Sequence, residues 1–158
     1  MLKSLSILII FLLVSRFTGI SNFSPLFAFA IYLPRLTDNV LIQYFLPLSI
    51  IVFTNLFLEP VNILVLTIII LIFLITPFIS KRSKNLFWGC INTMLAWYLF
   101  VNGAVWFSAG GSLIEVYIAA IPFDIKLSIS TALYLFLFST AERFWTSFFK
   151  SDVKILDR

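Results

Sequence analysis

An all-α fold is predicted: a polytopic membrane bundle of six transmembrane helices, with a short re-entrant or interfacial helix before the last. Three observations carry this reading. Hydrophobic residues make up 61% of the 158 and charged residues only 11%, whereas a soluble domain carries roughly 25% charge to cover its outside. Apolar runs such as Ile63 to Ile75 call for hydrocarbon as their solvent. Basic residues gather in short connections and at the tail, the bias expected of segments on the cytoplasmic side. The length suits one integral membrane domain over residues 1–158.

The first apolar segment runs from about Leu2 to Phe17. Lys3 followed by Leu5 to Val14 imitates a signal peptide, but Ser15-Arg16-Phe17 is a poor cleavage context, so a retained helix is expected. The second follows Asn22-Phe23-Ser24-Pro25 and reaches about Leu36; a capping hydroxyl before a proline is a helix start. The third runs from about Val40 to Leu58 with Pro47 inside it, where a proline frees one carbonyl. Glu59-Pro60 turns into the fourth, about Val61 to Ile79, which ends in the basic stretch Ser80 to Asn85. The fifth is expected over about Leu86 to Val101. Asn102 to Ser112, with Asn102-Gly103 and Gly110-Gly111, looks like turn and interface sequence. Leu113 to Ile121 is too short to cross and is closed by Pro122. The last crossing is expected from about Lys126 to Phe149.

With both ends in the cytoplasm of a bacterial inner membrane, Lys3, Arg35, Lys81, Arg82, Lys84, Arg143, Lys150, Lys154 and Arg158 fall inside. Only Arg16 and Lys126 fall outside, and the inverse orientation would reverse that bias.

Some chemistries are disfavoured by composition. The chain has no histidine and a single cysteine, which removes disulfides and most zinc, haem or iron–sulfur sites. No cofactor is expected. Cys90 is either a small packing residue or a reactive thiol. No basic face interleaved with readout residues points to nucleic acid. Hydrolase, zinc-peptidase and phosphate-loop motifs are missing, so no enzyme is expected.

The polar residues of interest gather at the outer pole. The candidate ligand-binding set is Asn22, Asn55, Glu59, Asn102, Trp106, Glu115 and Tyr117, with Asp124 in the same long outer segment. Asn55 and Glu59, four apart, share a helix face. Such amide, carboxylate and aromatic groups suit a small polar or zwitterionic solute. Each has a plainer role open to it. Asn22, Ser24 and Asn62 serve equally as helix caps, Glu59 as an exposed turn carboxylate, and Trp106 and Tyr117 as interfacial aromatics. Asn92 and Thr93 suit hydrogen bonding between helices, and Glu142-Arg143 an interfacial charge pair.

Two stretches carry a resemblance. Asn22-Phe23-Ser24-Pro25-Leu26-Phe27-Ala28 with Leu46-Pro47-Leu48 forms the first. Asn102-Gly103-Ala104-Val105-Trp106 followed by Glu115-Val116-Tyr117-Ile118-Ala119-Ala120-Ile121-Pro122-Phe123 forms the second. In order and spacing they resemble an uncharacterised family of small bacterial membrane proteins. That family is in turn similar to the substrate-binding S components of energy-coupling factor transporters. The resemblance implies a six-helix subunit that captures a small-molecule solute from outside; the pocket is expected to be outward-facing and roofed by Asn102 to Phe123. It also implies docking on an energising transmembrane subunit driven by ATPases. A membrane scaffold or assembly partner without transport is the other class, and an intramembrane enzyme using Glu115 and Asp124 a third.

Overall fold

The computed structural model describes residues 25–57 and 61–156, with side chains as far as Phe144. The described residues form five helices: α1 Leu26–Leu36, α2 Val40–Asn55, α3 Ile63–Arg82, α4 Leu86–Ala109 and α5 Leu113–Leu156. Three of them, α3, α4 and the Leu113–Phe144 part of α5, are long and apolar enough to cross a membrane. The protein is therefore an all-α membrane protein. Its outside agrees, because large apolar side chains lie open around the bundle, Ile63 at 81% and Phe136 at 67% exposure among them. Water would not tolerate such a surface, whereas lipid solvates it.

Local chemistry fixes where the helices begin. Asn39, Asn62 and Asn85 each precede a helix and accept a first-turn N–H: from Ile42 at 3.3 Å, Leu64 at 2.9 Å and Trp88 at 3.0 Å. These bonds satisfy donors the helix cannot satisfy itself. Asn62 is thus a cap, one of the two roles open to it; Asn22 and Ser24 lie outside the described residues. Pro25 opens α1, and Phe29 N–H donates to its carbonyl at 2.8 Å.

Helix α1 sits in the middle of the bundle. Leu26 to Leu33 are all at most 4% exposed, on every side of the helix. At 11 residues it is about 16 Å long, roughly half the hydrocarbon thickness, so it does not cross as expected. Phe27 stacks on Phe73 of α3, with centroids 4.4 Å apart, and meets Trp97 of α4 edge-on at 5.0 Å. Phe73 and Trp97 lie near the middles of their helices, so α1 starts at mid-depth and runs to one pole. There Tyr32 donates to the Glu142 carboxylate of α5, and Ser80 Oγ of α3 donates to the Ile31 carbonyl at 2.6 Å. Arg35, Lys81, Arg82, Lys84 and Arg143 share this basic pole. The Gly110-Gly111 hairpin between α4 and α5 marks the other.

Two further boundaries differ from expectation. Helix α4 continues through Asn102 to Ala109 instead of stopping at Val101. Gly103 is not a turn residue there; a Cβ on it would stand 3.2 Å from Tyr117 Oη, so it lets α5 approach. The short helix expected before the last crossing is likewise absorbed. Leu113–Leu156 is one helix of 44 residues with Pro122 inside it. A proline removes one backbone bond of the ladder, and the flanking turns carry the helix across. The reversal lies instead at Gly110 and Gly111, at φ 73° and 90°, values that residues with a Cβ rarely adopt.

Close packing holds α1, α3 and α4 together. A Cβ placed on Gly89 would lie 3.5 Å from Ile31 Cγ2 and 3.7 Å from the Ser80 backbone. There is room for a methyl group and nothing larger. Gly89→Ala should leave thermal stability close to that of the parent. Gly89→Leu should lower it by about 1–3 kcal/mol through overpacking, as read by denaturant unfolding in micelles.

Candidate functional site

The α4–α5 contact gathers the polar side chains. Tyr98 and Tyr117 clasp the two helices reciprocally. Tyr117 Oη donates to the Leu99 carbonyl at 2.6 Å and Tyr98 Oη to the Tyr117 carbonyl at 3.2 Å. Their rings meet edge to face, with centroids 5.3 Å apart.

About two turns beyond Tyr117 on α5, Asp124 is held by two side chains of α4. Trp97 Nε1 donates to Oδ1 at 2.9 Å, and Asn102 Nδ2 donates to Oδ2 at 2.7 Å. The Asn102 amide also donates to the Tyr98 carbonyl one turn back at 2.9 Å, which locks its rotamer. Trp97 is fixed in turn by Phe27, edge-on against its ring. Both donors are neutral, and neither N–H group can accept a proton from Asp124. The carboxylate therefore acts as acceptor at both oxygens, with lone pairs left over.

Asp124 opens onto a groove. It runs between α4 and α5 with a volume of about 810 Å³, walled by apolar side chains such as Met94, Leu95, Ile125, Ile129 and Phe136. Among the described residues, Asp124 is the one carboxylate along it, and no lysine or arginine lines it. Lys126 is exposed and two residues on, about 200° around the helix and so on the far side.

The expected site residues are distributed as follows. Asn102 and Tyr117 belong to the α4–α5 contact. Trp106 is exposed and donates to the Gly111 carbonyl at 3.1 Å, which staples the hairpin. Glu115 is exposed in the first turn of α5, where a carboxylate meets the positive end of the helix dipole. Asn55 is half-buried at the end of α2, a helix that packs on α1 and α3 rather than on the hairpin. Asn22 and Glu59 lie outside the described residues. The expected roof, Asn102 to Phe123, is mostly helical hairpin rather than a loop able to fold over a ligand.

Trp97 was not singled out, and Asp124 was named beside the ligand-binding set rather than in it. The signal was present in the spacing: Tyr98 and Asn102 are four apart, on one face of any helix that continues past Val101. Reading Asn102-Gly103 as a turn hid that face.

Among the described residues no group of three or more Cys, Asp or Glu side chains gathers as a metal site. No curated protein and no solved structure matches the chain. One family model does, across residues 2–151, and its description is a family of unknown function. The chain belongs to this family, DUF6580.

Proposed function

We propose that the protein is a membrane substrate-capture subunit, resembling an S component, that binds a small solute for uptake. The observation behind this reading is the Asp124 carboxylate, held by Trp97 and Asn102 at one end of the α4–α5 groove. A carboxylate at depth in an apolar helix pair is expensive to keep, and residues of that kind usually mark a substrate or ion pathway. The excess of lysine and arginine supports a basic pole in the cytoplasm of a bacterial inner membrane, and both chain ends on that side. The hairpin pole then faces outward and receives the solute. No residue pattern for nucleotide binding is present in the chain, so inward release would draw on an energising transmembrane subunit with ATPases.

Unfolding of the purified protein in lipid nanodiscs, against vitamins, amines, amino acids and metal ions, tests this. A bound solute at one hundred times its Kd should stabilise the protein by about 2.7 kcal/mol. Asn102→Ala should abolish that gain, and the same solute should accumulate in cells carrying the protein. A panel with no shift and no accumulation would remove the basis for the reading.

A second reading, a scaffold or assembly partner without transport, is favoured by one finding. Asn55 and Glu115 do not line the Asp124 groove, and Trp106 serves the hairpin turn. It predicts that purification from native membrane brings down a stoichiometric protein partner and no small molecule.

A further inference from the structure

We infer that the α4–α5 groove binds a primary alkylammonium amphiphile, with its ammonium on Asp124 and its chain lying along the groove, admitted sideways from the membrane. The inference rests on the capture reading for its biological purpose but not for the binding itself.

Shape and chemistry both point to such an occupant. From Asp124 to Ser139 the groove follows α5 for about 22 Å, an elongated shape that suits an extended alkyl chain rather than a compact solute. Its walls are aliphatic and aromatic, and several of them, Phe87, Leu95, Ile125, Ile129 and Phe136, lie open to the outside of the bundle. The groove is thus reached from lipid and not only from an aqueous pole. An apolar chain gains little by leaving lipid for an equally apolar wall. Selectivity must therefore come from the polar end.

At that end a carboxylate stands with no cationic side chain along the groove among the described residues. Its two neutral donors approach from α4 and leave further lone pairs. Ser128 lies one turn along α5 on the same face and also lines the groove. Two carboxylate oxygens and a hydroxyl match the three N–H donors of a primary ammonium. Replacing an N–H by a methyl removes one of those bonds, and an alcohol brings no charge.

The test uses the full chain in phosphatidylcholine nanodiscs with dodecylamine as probe. Dodecanol and dodecyltrimethylammonium serve as competitors, because all three partition into the bilayer. Dodecylamine should bind saturably and neither competitor should displace it. Asp124→Asn should weaken binding by about tenfold or more, the size expected when a charge-assisted hydrogen bond is lost. Ala132→Phe fills the groove and leaves Asp124 untouched, so it should weaken binding, though less than Asp124→Asn, while the protein stays folded. Equal binding by all three amphiphiles, or by the parent and both variants, would mean partition into lipid alone and would overturn the inference. Saturable amine binding without accumulation of amine in cells would leave the inference standing and count against transport. A different solute stabilising the protein through Asn102, with no saturable amine binding, would do the reverse.

Discussion

Phe29→Ala is expected to destabilise the protein by about 3 kcal/mol, the lower part of the range for emptying a buried aromatic site. With Phe73, Phe29 is the largest fully buried side chain among the described residues, and it lies on α1, the helix enclosed by the others. In water most of such a loss would be transfer free energy. Here the unfolded reference is itself largely in lipid, so the transfer contribution shrinks and the cavity with its missing dispersion contacts dominates. That places the value toward the lower end without abolishing it. The matched control is Phe107→Ala on α4, where the side chain is 75% exposed. Lipid closes over the missing ring, and the change should be near zero. Reversible unfolding in mixed micelles measures both. Equal losses at the two positions would mean that α1 is not enclosed.

That contrast also marks how far the sequence could be read. Segment starts were legible: helices begin at Val40 and Leu86 as expected, Asn62 is a cap, and the apolar stretch expected over about 61–79 is α3, Ile63–Arg82. The all-α membrane class followed from composition together with the long apolar runs and the clustering of basic residues. What could not be read was which apolar helix meets lipid and which meets protein. Leu26–Leu36 and the lipid-facing parts of α4 have the same hydropathic character, because the two environments are equally apolar. Only packing separates them: Ala28 and Ala30 allow neighbours to close on α1, and Gly89 lets α4 come near. Local turn preference also lost twice to tertiary contact. Asn102-Gly103 and Pro122 both look like breaks, yet one serves the approach of Tyr117 and Asp124, and the other is carried through a long helix. The candidate site inherited those two errors. Once Asn102 is helical it faces α5, and once α5 is continuous Asp124 lies opposite it.

Asn102→Ala should lower stability by about 2 kcal/mol, well above the ~0.6 kcal/mol usual for a hydrogen bond between membrane helices. The difference comes from the acceptor. Neutral polar groups in a membrane find other partners in the unfolded state, which trims their net worth. A carboxylate is harder to satisfy, and Asn102 contributes one of the two N–H donors that hold Asp124 from α4. Trp97→Phe should cost less than this, because the ring keeps its place against Phe27 and only the N–H is lost. A double-mutant cycle of Asn102→Ala with Asp124→Ala separates pairing from side effects. Removing the carboxylate removes the need for its donor, so the second substitution should cost far less in the Asp124→Ala background. A coupling energy of about 1.5–3 kcal/mol is expected for a bond to a charged group. Coupling no larger than that of a neutral bond would mean that Asp124 carries no charge in the membrane. The groove would then have no electrostatic means of choosing a cation.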